Sequence, residues 1–326
     1  MRRAQAIALL AAMAASGCSQ GEPAIQGPSE PFRVRGGRFI EADLPGEAPT
    51  DAGQPPADPD AGLSGPPSVT ALDLSNIVVH QGQGNKKVAG RTSPNGWAVG
   101  IRLADVGSGY WVLPTGVVDP PTGELTWEAL CDFDPSIKPG FHDLRVVALS
   151  EDGQAGRQLS QPLCVTGRVP DNFNFCDPSS PPPEAVISLT WDTNVDLDLQ
   201  VVAPDGRVTD PKHPATHDSD DAGVIPPEAG MIDRDSNANC VIDGIRYENL
   251  VWQSVAPKGR YGIYANLFDS CNQGPVRFEA SVYTAVDNGD GSKVLKQWYA
   301  ASGELLDFQA NGGEARGLFL YEFDFQ

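Results

Sequence analysis

The chain has 326 residues and a mass of 34.6 kDa, 40 % of it hydrophobic and 20 % charged, which is room for two domains of ordinary size. Its 23 basic and 43 acidic residues give a net charge of −20 and a pI near 4.4, which excludes a protein that binds nucleic acid by neutralising phosphates. No apolar run reaches the roughly 18 residues of a spanning helix, which excludes a polytopic membrane protein, and 35 Gly with 29 Pro point to turn-rich β-structure, spacers or both.

At the N-terminus Arg2 and Arg3 form a short basic region, and 4–15 is an apolar stretch too short to cross a bilayer. It ends in Ala15-Ser16-Gly17-Cys18, which resembles the lipobox of bacterial lipoproteins, with Ala15 where Leu is commoner. The resemblance implies a signal peptide over 1–18 and acylation of Cys18 on its sulfur and its new amine, so that the lipid bilayer is the first partner. Several acyl chains anchor far more firmly than one. Ser19 in place of an aspartate implies the outer membrane. An ordinary secretory signal cut near Ala15 is the alternative.

From 19 to 66 the 48 residues include 9 Pro and 8 Gly, too little apolar surface to offset the entropy of ordering, and a disordered tether is expected. Within it Phe32-Arg33-Val34-Arg35-Gly36-Gly37-Arg38-Phe39-Ile40 is an apolar patch. It reads as an incidental feature of the tether, with an edge strand or a partner-docking patch as the alternatives. From 67 to 168 short apolar-rich runs at 97–103, 110–113, 125–133, 144–149 and 158–165 alternate with Gly, Pro and Asp clusters, which predicts a β-sandwich. The Pro139-Gly140 turn leading into an alternating strand resembles the late hairpin of immunoglobulin-like or fibronectin-like modules.

A Pro/Asn/Ser-rich joint at 169–183 marks a domain boundary, and a second β-unit follows over 184–326. Its expected strands are 186–191, 196–202, 250–253, 261–267, 276–286, 293–300 and 318–325. On the last of these Phe319, Tyr321, Phe323 and Phe325 share one face, read as facing a core. Trp298-Tyr299 reads equally well as packing or as a sugar-stacking pair. The fold class is therefore all-β, two sandwiches after a tether.

Setting Cys18 aside, five cysteines remain, and an exported chain sits where disulfides persist. Cys240 and Cys271 each lie beside a strand of the second unit and form the preferred bridge. Among Cys131, Cys164 and Cys176 one further pair is expected, with Cys131–Cys164 inside the first sandwich the first choice. No C-x-x-C pair supports a zinc ribbon or a thiol redox site.

The sharpest local chemistry lies at Asp192, Asp196 and Asp198. On a strand Leu197, Leu199 and Val201 turn to the core, while Asp196 and Asp198 share the other face about 7 Å apart. Asp is a poor strand former and like charges repel, so a use is expected, and a hard cation supplies one. A second acidic stretch, Asp233-x-Asp235-x-Asn237, has the oxygen spacing of calcium loops. It is no EF-hand: Ala238 replaces the turn glycine and Gly244 the closing Glu. Asp192, Asp196, Asp198, Asp233, Asp235 and Asn237 are thus the candidate ligands of a calcium ion. Ordinary Asp/Asn turns that cap local amides are the competing reading. Residues 184–326 hold 10 basic and 23 acidic residues, a charge of −13, whose repulsion a bound cation relieves.

The pattern W-D-x-x-x-D-L-D-L-x-V-x-x-P-x-G from Trp191 to Gly206, together with 233–249 and Ala256-Pro257-Lys258-Gly259-Arg260-Tyr261, resembles the YfaP-type family of exported bacterial β-domains over about 140 residues. It is also similar, over a few residues, to the W-D and D-L-D elements of calcium-binding TerD-type domains. The YfaP-type resemblance implies a periplasmic or surface β-sandwich and no known reaction. Arg246-Tyr247-Glu248-Asn249 keeps only the last two residues of that family's Gly-Pro-Glu-Asn.

Catalytic signatures are missing: there is no G-x-S-x-G, no H-E-x-x-H and no phosphate loop. His213 and His217 have zinc-like spacing, but Pro214 breaks the helix that would align them. No catalytic residue is assigned. The expectation is a non-catalytic, lipid-anchored envelope protein, calcium-ordered, with an envelope protein or glycan as ligand. The alternatives are an envelope polysaccharide hydrolase using paired carboxylates and an accessory subunit of an envelope complex docked through 32–40.

Overall fold

The computed structural model describes residues 30–49, 65–219 and 222–326, and the signal peptide, Cys18 and much of the tether lie outside them. The described residues contain nineteen strands, two single-turn 3-10 segments and no α-helix. None of their helical segments is long and apolar enough to cross a membrane.

The first ten strands are β1 Phe32–Val34, β2 Arg38–Ile40, β3 Val69–Asp73, β4 Val78–His80, β5 Lys86–Thr92, β6 Ala98–Leu103, β7 Tyr110–Pro114, β8 Leu125–Phe133, β9 Gly140–Leu149 and β10 Leu159–Thr166. They form a four-stranded sheet β1-β8-β5-β3 and a six-stranded sheet β2-β7-β6-β9-β10-β4. The alternation of β5 and β8 explains why the sheets pack: Val88, Trp127, Ala129, Cys131 and Phe133 point one way into a core closed by Ile101, Leu144 and Leu163.

The expected tether ends sooner than 66. Phe32 pairs with Phe133 and Ile40 with Tyr110, so the patch at 32–40 contributes one strand to each sheet. The rings of Phe32 and Phe133 meet edge to face at 5.3 Å, and Trp111 Nε1 donates to the Phe32 carbonyl at 2.8 Å. Apolar side chains beside open sheet edges gain more by pairing and burial than the short segment loses in entropy. The patch is therefore occupied within its own chain and is not a free docking strip.

The expected Cys131–Cys164 bridge is also corrected: Cys164 bonds Cys176, and Cys131 is a buried free thiol. Cys131 lies on β8 of one sheet and faces the core, whereas Cys164 lies on β10 of the facing sheet. Leu163 and Val165 take the core side of β10, which turns Cys164 outward to the 169–183 joint, where Cys176 waits with a Cα–Cα distance of 5.8 Å.

The remaining strands are β11 Ala185–Trp191, β12 Asp196–Val202, β13 Val208–Thr209, β14 Met231–Ile232, β15 Tyr247–Trp252, β16 Gly259–Asp269, β17 Val276–Asp287, β18 Lys293–Leu305 and β19 Leu318–Phe325. Sheet β14-β15-β11-β17-β18 packs on sheet β13-β12-β16-β19 around Ile187, Leu189, Leu199, Trp252, Tyr261 and Val282. Two sandwiches thus follow one another, as the strand spacing predicts. The single aromatic face expected on β19 is broken: Tyr321 and Phe325 are buried but Phe319 is exposed, because a bulge in the β16–β19 ladder skips Leu320.

β12 has an unusual setting. Its core side carries Leu197, Leu199 and Val201, yet Asp196, Asp198 and Gln200 on the other side are also buried. The 311–317 segment covers part of that outer face: Asn311 Nδ2 donates to Asn266 Oδ1 at 2.6 Å, and Gly317 N–H to Gln200 Oε1 at 3.0 Å. Gly317 is needed there, since a Cβ would lie 2.3 Å from the Ala265 carbonyl oxygen. β13 pairs with β12 only at Val201 and Val202, so the first half of β12 has β16 on one side and no strand on the other.

Candidate metal centre

The free side of β12 is where the acidic residues gather. The 233–246 segment between β14 and β15 crosses from the opposite sheet and brings Asp235 against Asp196 and Asp198, with an oxygen from each carboxylate within 4.8 Å of the others. One ion with metal–oxygen distances of about 2.3–2.6 Å bridges such a span. Asp196 and Asp198 are buried, and Asp235 is exposed at the mouth.

The crossing segment is held by its own polar side chains. Ser236 donates its N–H to Glu248 Oε1 at 3.0 Å and its hydroxyl to the Tyr247 carbonyl at 2.8 Å. Asn237 Nδ2 donates to the carbonyls of Val195 and Ile245. Asn239 N–H donates to Asp196 Oδ2 at 2.6 Å. One residue on, Cys240 is bonded to Cys271, as its position predicts.

Three of the six expected ligands converge and three do not. Asp192 Oδ1 accepts the Arg277 N–H at 2.9 Å, a strand-end cap. Asp233 accepts the N–H and the side-chain amide of Asn249, both at 2.9 Å. Asn237 is spent on backbone carbonyls, and its Oδ1 accepts the Asp243 N–H. For these three the local capping reading holds. The D-x-D-x-N spacing therefore delivers only its middle member.

The electrostatics follow from burial. Burial pushes Asp198 up to about 7, and the charges of Asp196 and Asp235 add to the rise. Burial pushes Asp196 up to about 6, against the Asn239 N–H bond that lowers it. Asp235 is raised by burial and by Asp243. A compensating charge nearby is Lys212, whose ammonium rests over the Phe268 ring at 4.5 Å and, among the described residues, pairs with no carboxylate. No hydrogen-bond donor among the described residues reaches the Asp198 carboxylate, which is 6 % exposed. A charged group so buried and without a partner costs several kcal/mol unless a proton or a cation joins it. Oxygen donors alone, two of them buried carboxylates, suit a hard cation rather than zinc or copper.

Glu248 is a fourth acidic group that the motif reading passes over. It is fully buried on β15, and its Oε2 accepts the Leu199 N–H at 2.8 Å. Burial first, then the charge of Asp198, holds its carboxyl well above the usual range. The signal available in the sequence was a Glu followed by Asn249 at the head of a strand that goes on as Leu250-Val251-Trp252.

Elsewhere the polar candidates do not assemble. His213 bonds Asp210 and His217 bonds Thr216, so the two histidines share no site. Trp298 and Tyr299 are both exposed on β18, with Trp298 Nε1 on Thr284 Oγ1 and Lys296 over its ring at 4.1 Å. No protein-family model matches the chain, and a search of curated proteins gives no match.

Proposed function

We propose that the chain is a non-catalytic lipoprotein of the bacterial cell envelope, acylated at Cys18 and held at the outer membrane. In this reading the first sandwich is an immunoglobulin-like spacer. The second is a YfaP-type sandwich, ordered by calcium at Asp196, Asp198 and Asp235, that presents the surface for an envelope protein or glycan. The observation that carries the reading is the convergence of three carboxylates on the unpaired side of β12, with Asp198 buried and without a hydrogen-bond donor. Calcium supplies the positive charge there, and water completes the six to eight oxygens it takes. Residues of this chain do the rest: Asn239 orients Asp196, and Ser236 with Asn237 fixes the backbone beside Asp235.

The deciding experiment is thermal unfolding of the full chain with calcium and with chelator. A lower Tm in chelator is expected, restored by adding calcium back; identical curves reject the calcium centre. Incorporation of labelled palmitate that is lost in Cys18→Ala tests the anchor.

A second reading, hydrolysis of envelope polysaccharide, draws on the raised carboxyl of Asp198, the property a general acid needs. It ranks lower because the apolar groove lined by Pro170, Ile225, Pro227, Met231 and Val251 offers one carboxylate, Asp233, already bound to Asn249. Flat turnover on a panel of envelope glycans rejects it.

A further inference from the structure

We propose that the Cys240–Cys271 disulfide is a positioning element of the metal centre, so that calcium affinity depends on the redox state of this pair; the inference rests on the calcium reading above. The bond joins the 3-10 turn Ala238–Cys240 to the turn that follows β16. On one side of it, Cys271 N–H donates to Asp269 Oδ1 at 2.8 Å, and Asp269 stands opposite Asp196 in the β12–β16 ladder. On the other side, Asn239 precedes Cys240 and donates its N–H to Asp196 Oδ2 at 2.6 Å. The contacts close a ring that runs from Asp196 across the ladder to Asp269, through Cys271, the disulfide, Cys240 and Asn239, and back to Asp196.

The backbone inside that ring does not sit there of its own accord. Asn239, Cys240 and Cys271 have φ of 51°, 61° and 50°, in the left-handed region that a cysteine occupies only under constraint. Beyond Asn237 the other holds are local: Cys240 N–H donates to the Asn237 carbonyl at 2.9 Å, Val241 N–H to the Ala238 carbonyl at 3.0 Å and Asp243 N–H to Asn237 Oδ1 at 3.2 Å, while Val241, Ile242, Asp243 and Gly244 are exposed. Opening the disulfide leaves Ser236 and Asn237 anchored, so Asp235 stays in place. It frees the turn that carries the Asn239 donor. Asp196 then loses the one hydrogen bond that orients its carboxylate toward Asp198, and losing such an orienting partner costs a metal site about 10–100-fold in affinity.

The disulfide is half-buried and open to a small dithiol. Reduction breaks the S–S bond and transfers two electrons and two protons from the dithiol, which closes to its own disulfide. The free thiol among the described residues, Cys131, does not enter the exchange. It is buried in the first core, and burial pushes it up to about 12, so it carries no thiolate near neutral pH. The metal centre itself rests on more than clustered acids, since Asp198 is more than nine-tenths buried, has no hydrogen-bond partner among the described residues and is aimed at the same point.

The test is calorimetric titration of the full, oxidised chain with calcium, beside the double variant Cys240→Ser/Cys271→Ser and the control Cys164→Ser/Cys176→Ser. We expect at least tenfold weaker binding in the first variant, unchanged binding in the control, and the same far-UV circular dichroism for all three at saturating calcium. If the first variant does not fold, the control variant Cys164→Ser/Cys176→Ser, titrated before and after reduction with dithiothreitol under native conditions, supplies the same comparison, since Cys240–Cys271 is then the disulfide left to open. Equal affinity in the closed and opened forms overturns the proposal and leaves the calcium reading intact. An equal loss in the control overturns it too, by assigning the effect to general loosening. No calcium binding by the oxidised chain overturns both.

Discussion

Leu199 donates its backbone N–H to the Oε2 of Glu248 at 2.8 Å, so a carboxyl side chain from the opposite sheet takes the place of a neighbouring strand. The other oxygen of the same carboxyl accepts from Ser236, which ties the acid-bearing segment to β12 through one residue. Glu248→Ala leaves two buried N–H groups without acceptors and should cost about 2–5 kcal/mol in denaturant unfolding. Glu248→Gln keeps one acceptor oxygen and should cost about half as much. Equal, small effects in both would show that the carboxyl does not hold the segment.

Asp198→Asn should act with opposite signs in two buffers. In chelator it removes a buried, unpartnered carboxylate and should raise stability by roughly 2–4 kcal/mol at neutral pH. In calcium it deletes a ligand, so the rise in Tm on adding calcium should largely vanish. A variant that is destabilised equally in both buffers would remove Asp198 from the metal centre.

The pH dependence of the chelated protein follows the same logic. Asp198 lies near 7 and Asp196 near 6 when folded, against ordinary values near 4 when unfolded. Between pH 4 and 7 the folded state holds protons that the unfolded state has released, so stability falls as pH rises through this window and levels off above it. Saturating calcium should flatten the slope, because it takes over the neutralising role. Denaturant midpoints at intervals from pH 4 to 8, with and without calcium, measure both.

Most of the strands were legible because each carries its own alternation: 125–133 and 276–286 announce themselves within a window of ten residues. β1 and β2 were not, since three residues show no period and their stability comes from Phe133, about a hundred residues further along the chain, and from Tyr110, about seventy residues further along. The same distinction divides the candidate site. Asp196 and Asp198 are visible as an anomaly on a strand. That Asp235 joins them while Asp233 and Asn237 cap nearby amides depends on where the 233–246 segment crosses, which no local pattern encodes.

The cysteine pattern gives a direct chemical check. Digestion of the native chain should yield peptides linked as Cys164–Cys176 and Cys240–Cys271, with Cys131 inert to iodoacetamide until denaturant is added. Fast alkylation of Cys131 in the folded protein would contradict its place in the core.

The strand at 32–34 should behave as core, not tether. Phe32→Ala empties the space beside Phe133 and should destabilise the first sandwich by about 3–5 kcal/mol. Unchanged unfolding would return the patch to the tether.

Pairing of 32–34 with β8 also sets how far a lipid anchor at Cys18, as proposed above, would let the protein stand from a membrane. Under that proposal the chain between the anchor and the first strand is 19–31, thirteen residues, whose greatest possible span is about 45 Å. The longer Pro-rich stretch at 50–64 falls in sequence between β2 and β3, after the chain has already joined the first sandwich, so its length adds nothing to that clearance.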